Sequence, residues 1–220
     1  MSYVIVIPAY NEERYLPNLL KDLLSVTKNI VIIDDGSKDL TGDMAATLGV
    51  PVITQPHQGK GAALRRGFRY AIEKGFDWVI TMDSDGQHDW KDVPSFVEAM
   101  SRANGGGPDI IVGSRMRDAS SMPVVRRLTN RFMSGLISRL SGSAIPDTQC
   151  GFRAISSRVL RSVVLETSHY DTESELLIKA GKAGFSIASV PIKTIYNGAP
   201  SNINKITDTA RFLRLLMKTV

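Results

Sequence analysis

The amino-acid sequence predicts an α/β architecture: a mainly parallel sheet flanked by helices. Three features carry this expectation. Short apolar runs, rich in β-branched residues, recur along the first half of the chain. Between them lie longer stretches with apolar residues at helical spacing. The runs also lack two-residue alternation, the mark of strands covered on both faces. Strand, helix, strand at such spacing needs crossover connections and therefore parallel pairing.

Residues 3–8 (YVIVIP) give the first strand. Residues 12–26 give a helix with Leu16, Leu19, Leu20, Leu23 and Leu24 on one face. A second strand covers 29–34. Ser37 is placed to cap a helix over 38–48, with Asp39 in its first turn. A third strand covers 50–54, and a helix over 59–74 stops at Gly75. Strands at 77–82 and 109–113 bracket a helix at 92–103. The second half is less regular. It reads as a polar loop (114–124), a basic helix (125–140), a strand (151–155), a short helix (156–164), a helix (172–183) and a strand (185–190). A polar loop (196–204) and a last helix (206–220) follow. The expected organisation is one domain over residues 1–200, with an appended loop and amphipathic helix over 201–220.

Hydrophobic residues make up 43% of the 220 and charged residues 22%, which excludes disordered, collagen-like and coiled-coil classes. The single cysteine, Cys150, excludes an internal disulfide, fits a reducing cytoplasm and reads as a small core residue. Neither a signal peptide nor a spanning helix is expected. The net charge of +5 is uneven. Arg115, Arg117, Arg126, Arg127, Arg131 and Arg139 stand against Asp118 alone. That excess calls for an anionic partner. Nucleic acid is a poor fit, because the basic segment interleaves no aromatic residue other than Phe132.

Ligands of parallel sheets gather beyond the carboxyl ends of the strands. One such end carries Asp83-Ser84-Asp85-Gly86-Gln87-His88. Carboxylates two residues apart on a loop can converge on a hard divalent cation, Mg²⁺ or Mn²⁺, with Gln87 as a neutral oxygen donor. The same residues also suit a plain acidic turn. Asp34-Asp35-Gly36-Ser37 ends another strand, fit either to accept hydrogen bonds from a ribose or to cap a helix. Pro8-Ala9-Tyr10-Asn11-Glu12-Glu13 has no glycines, which argues against a dinucleotide-binding turn. Gly59-Lys60-Gly61 is too short for a phosphate-binding loop of the Walker type, although Lys60 near a helix start can meet a phosphate.

In order and spacing, these four places resemble family 2 glycosyltransferases of the GT-A fold, a Rossmann-like fold of nucleotide-diphospho-sugar transferases. The likeness continues through Gly113-Ser114-Arg115, Asp147–Arg153, Glu173–Lys179 and Val190-Pro191-Ile192. Within the family the chain looks most like dolichol- and polyprenyl-phosphate sugar synthases. The resemblance implies a metal-dependent, inverting transfer from a nucleotide-diphosphate sugar (GDP-mannose or UDP-glucose type) to polyprenyl or dolichyl phosphate. Asp34 would contact the nucleoside, with Pro8, Tyr10 and Glu12 in the same pocket and Asp35, Lys60 and Ser84 completing the donor site. Asp83 would sit beside the diphosphate and ribose. Asp85 and Gln87 would hold the metal. Arg115, with Arg126 and Arg131, would meet phosphate, and Ser134 would add a further contact. Asp83, Asp85 and Arg115 are the expected catalytic set. Asn202 stands where relatives often carry a basic residue, with Lys205 as a substitute.

An acceptor phosphate is already ionised at pH 7, so it needs no strong base. A hydroxyl acceptor would need one, and Asp147, Asp171 and Glu173 are the candidates. The alternatives are a family 2 enzyme with a hydroxyl acceptor, a nucleotidyltransferase, or a non-catalytic membrane adaptor. Arg211, Arg214 and Lys218 share one face of the last helix, with Ile206, Phe212, Leu213, Leu216 and Met217 elsewhere on it. Such a helix either lies in a membrane interface or docks on the core. The expected location is cytoplasmic, peripheral at the membrane face.

Overall fold

The computed structural model describes residues 1–102, 106–116, 122–193, 195, 211 and 215. Among them, one sheet holds seven strands: β1 (Tyr3–Ala9), β2 (Ile30–Asp34), β3 (Val52–Thr54), β4 (Trp78–Thr81), β5 (Ile110–Ser114), β6 (Arg153–Ser156) and β7 (Ile187–Pro191). Their order is β3-β2-β1-β4-β6-β5-β7. The helices are α1 (Leu16–Leu23), α2 (Thr41–Thr47), α3 (Lys60–Glu73), α4 (Val93–Ser101), α5 (Val124–Ser141), α6 (Ser157–Ser162) and α7 (Asp171–Lys182).

The covered-strand reading holds. β2, β4 and β5 are buried along their whole length, and β1 at all but its first residue. Helix α3 lies close on β1 because of Gly67, where a Cβ would fall 2.2 Å from Val6 Cγ1. Pairing is parallel except at β6, which runs antiparallel to both β4 and β5. β6 carries a buried arginine in mid-sheet, Arg153. Its guanidinium donates to the carbonyls of Cys150 (2.7 Å), Thr148 (2.8 Å) and Glu173 (2.7 Å), which satisfies the charge.

Two helix starts differ from the sequence expectation. α1 begins at Leu16, with a proline in its first turn, and not at residue 12. α2 begins at Thr41, and Ser37 does not cap it. Both differences have one cause, the lacing of the two preceding loops to each other described below. At the far end of the chain, residues 211 and 215 are helical, and Leu215 is buried in the hydrophobic core. The remaining residues of the expected last helix lie outside the described residues, as do Arg117, Asn202 and Lys205. No described helix is long and apolar enough to cross a membrane.

Candidate active site at the carboxyl edge of the sheet

Parallel registers bring three strand ends to one rim. Ala9 pairs with Asp34, and Val6 with Thr81, so the segments after β1, β2 and β4 leave the same edge. The first two segments bind each other side chain to backbone. The Asn11 amide donates to Ser37 Oγ (3.0 Å), and the Lys38 amide donates to Asn11 Oδ1 (2.8 Å). The Glu12 amide donates to Thr41 Oγ1 (2.7 Å), the Glu13 amide to Asp39 (3.1 Å), and the Leu40 amide to Glu13 (3.0 Å). Asn11 takes a left-handed backbone (φ 55°), which an asparagine tolerates better than most residues. The lacing spends Ser37 and the amides of residues 11–13, so neither helix starts where its sequence first permits.

The next segment, 55–59, is built around Asp35. One carboxylate oxygen accepts from Gln55 Nε2 (2.7 Å) and the Gln58 amide (2.9 Å). The other accepts from the Gly59 amide (2.7 Å) and lies 2.9 Å from His57 Nδ1. The same stretch stacks His57 on Tyr10, ring centroids 4.0 Å apart, and delivers Lys60 to the rim. The start of α3 is clamped from the other side by the segment before α7. The Ala62 amide donates to the Ser168 carbonyl (3.0 Å), and Arg65 donates to the carbonyls of Leu165 and Thr167. Buried Glu175 fixes that segment, accepting from the amides of Glu166 and Thr167 and from the Thr167 hydroxyl.

Lys60 thus reaches two carboxylates, Asp83 (2.6 Å) and Glu173 (3.0 Å). Burial alone would lower its pKa, but the two acids outweigh burial and hold it well above the ordinary lysine value. Asp83 is held far below the carboxylate range: burial opposes ionisation, and Lys60 and His88 overcome it. His88 Nε2 lies 3.3 Å from Asp83, while its buried Nδ1 has no partner among the described residues. Asp85 behaves oppositely. Burial first, then the charge of Asp83, push its carboxyl upward, although it accepts from the Gln87 amide (2.9 Å). Glu12 faces the same acids. Burial, followed by Asp85, Asp39 and Asp83, raises it to about 7.

On the far side, Arg115 makes a bidentate pair with Asp147, Nε to Oδ2 at 2.8 Å and Nη2 to Oδ1 at 2.9 Å. Asn130 of α5 donates to the same carboxylate (2.8 Å). Burial opposes both charges. The pairing nevertheless holds Arg115 up and Asp147 down, and Asp83 lies near enough to favour the guanidinium further.

The donor chemistry of the rim suits a hard divalent cation: two carboxylates in mutual repulsion and an amide side chain nearby. Among the described residues, no three acidic, histidine or cysteine side chains form a complete metal cage. A cation here would need ligands beyond these residues, as Mg²⁺ sites that use substrate phosphates do.

Residues 4–164 match glycosyl transferase family 2. The chain is a family 2 glycosyltransferase. Among relatives of this transferase is the UDP-N-acetylglucosamine–dolichyl-phosphate N-acetylglucosaminyltransferase of Methanococcus voltae. It is 32% identical, over 97% of this chain and 94% of that protein. The undecaprenyl-phosphate mannosyltransferase of Micrococcus luteus is 30% identical, over 87% of this chain and 83% of its own. The fold matches glucosyl-3-phosphoglycerate synthase of Mycobacterium tuberculosis, solved with Mn²⁺, UDP and phosphoglyceric acid. The TM-score is 0.76 at 22% identity, over 99% of this chain and 78% of that one.

In this glycosyltransferase the rim brings Glu12, Lys60, Asp83 and Asp85 together, with Tyr10 just after β1, Asp34 at the end of β2, Gln87 two residues beyond Asp85, Pro8 buried in β1 and Ser84 buried in the loop after β4. Two expectations need correction. Asp35 is saturated by its own loop, so it shapes the site and has no bond to spare for a nucleotide. Ser134 is buried, its hydroxyl donating to Asn130 Oδ1 and accepting from the Thr148 amide, so it does not face a phosphate. Arg131 is exposed on α5, and the side chain of Arg126 lies outside the described residues. Sequence reasoning missed Asn130 and Glu175. A signal existed for Asn130: a polar residue amid the inward-facing positions of a basic helix. Glu175 reads as an ordinary helix-surface acid, and only the segment folding back over it shows otherwise.

Proposed function

We propose that this glycosyltransferase moves a sugar, with inversion, from a nucleoside-diphosphate sugar to a polyprenyl or dolichyl phosphate, with Mg²⁺ or Mn²⁺ at the donor diphosphate. The observation that carries the reading is the rim itself, where Asp83 is neutralised by Lys60 while Asp85 is pushed toward protonation beside it. A cation held by Asp85 and Gln87 would relieve that repulsion. When bound, it would neutralise charge on the departing diphosphate. Asp34 and Tyr10 border the place for the nucleoside, and Lys60 can exchange Glu173 for a phosphate oxygen. Arg115, fixed by Asp147, adds positive charge near Asp83 without moving.

A phosphate acceptor is favoured by what two of the three candidate bases are doing. Asp147 is buried against Arg115 and Asn130, and Glu173 is engaged by Lys60. Neither is disposed to take a proton from a hydroxyl. An acceptor phosphate brings its own ionised oxygen to attack the anomeric carbon, and the diphosphate leaves from the opposite face. The names of the Methanococcus and Micrococcus relatives point to the same acceptor class. The test is transfer of radiolabelled sugar from nucleotide donors to polyprenyl phosphate in detergent, run beside a free saccharide acceptor. Product on the phosphate alone is expected. Product on the saccharide alone would contradict the reading.

A further inference from the structure

We infer that the first half of α5 is a membrane-docking surface, fitted to a bilayer that carries anionic headgroups. α5 is an 18-residue helix that buries one face against the protein yet carries its most exposed large apolar side chains on the other, where a surface helix ordinarily presents polar residues. Its inward stripe, Asn130, Ser134, Ile137 and Ser141, is buried, and Ser141 closes on Gly181 of α7. At about 100° per residue, the stripe formed by Val124, Val125, Leu128 and Phe132 points the opposite way. It is open to solvent: Val125 is 77% exposed, Leu128 61% and Phe132 72%. Contiguous large apolar side chains on a convex helix mark an interaction site and not a random scatter of surface residues.

Charge decides the occupant. The helix contains no acidic residue. Arg127 and Arg131, one turn apart, stand exposed along one flank of the stripe, and Arg139, also exposed, lies two turns beyond Phe132 on the stripe's own face. Apolar side chains between arginines are the composition of a helix lying in a membrane interface, where the side chains enter the acyl boundary and the guanidinium groups meet phosphates. A second copy of this chain is the weaker occupant, because a symmetric contact would set arginines against arginines. The inference deepens the proposed function by placing the enzyme on the surface that would hold a lipid-linked acceptor. It also ties that surface to the site, since Asn130, on the opposite face of the same two turns, donates to the carboxylate that fixes Arg115.

The test is flotation of the full chain with vesicles of phosphatidylcholine alone or with added phosphatidylglycerol, for the wild type and for the double variant Leu128→Glu, Phe132→Glu. The wild type should float with the anionic vesicles, less so at high salt. The double variant should lose roughly tenfold or more in partitioning, with its melting temperature and its nucleotide-induced stabilisation unchanged. Wild-type protein that stays at the bottom, or a variant that floats as well as wild type, would overturn the inference. So would a wild-type dimer, seen by light scattering, that the variant abolishes, since the stripe would then belong to a second copy. Flotation is read without substrate, so it stands whether or not polyprenyl phosphate proves to be the acceptor in detergent.

Discussion

Glu12 shows how strongly the rim waits for positive charge. Its ordinary value is 4.5, and in the fold it lies at about 7, from burial and from Asp85, Asp39 and Asp83. Between those values the folded protein keeps a proton that the unfolded chain releases. The contribution of this group to stability is therefore present at low pH and is lost as pH rises through that window. Glu12→Gln removes the titration. In thermal denaturation of the metal-free protein, the variant should melt above wild type at pH 8, and the gap should close toward pH 5. A gap independent of pH would contradict the assignment. At Asp147 the expected effect is larger. Asp147→Ala leaves Arg115 buried without its carboxylate, which costs about 3–5 kcal/mol in a urea titration.

At the scale of elements, the site depends on α3 presenting no side chain at Gly61, where it meets Thr172 of α7. A Cβ on Gly61 would lie 1.8 Å from Thr172 Oγ1 and 2.6 Å from the His169 carbonyl. Gly61→Ala should therefore separate the two helices, lower stability by about 1–3 kcal/mol and weaken nucleotide binding by displacing Lys60. Unchanged binding in a titration would show that the clamp does not position the lysine. The strands and most helices were legible in the sequence, because burial on both faces and helical spacing are local patterns. The lacing of 11–13 to 37–41 was not. It pairs donors and acceptors 26–29 residues apart, and Ser37 looks like a cap until Asn11 is seen to use it. The antiparallel direction of β6 was equally hidden, since four residues carry no sign of which way they run.

For the whole molecule, the sheet gathers acids at one edge, and the described residues supply only part of the ligand set a divalent cation there would take. Motif order singled out Asp34, Asp83, Asp85 and Gln87 as candidates at the ends of β2 and β4, and the sheet brings those two ends to one rim. It could not show that Asp35 and Ser134 are consumed internally, because a saturated carboxylate and an available one have the same sequence. Nor could it show the outward stripe on α5, which reads as ordinary helix until the inward face is known. The central claim, a cation shared between Asp85 and a donor diphosphate, is tested most directly by thermal denaturation of wild type and Asp85→Ala. Each is measured with a nucleoside diphosphate, with Mn²⁺, and with both. Wild type should gain far more from the pair than from either alone, on the order of 2–4 kcal/mol at saturating ligand. Asp85→Ala should melt like wild type unliganded and lose that joint gain. An equal joint gain in both proteins, or the full gain from nucleotide without metal, would contradict the claim.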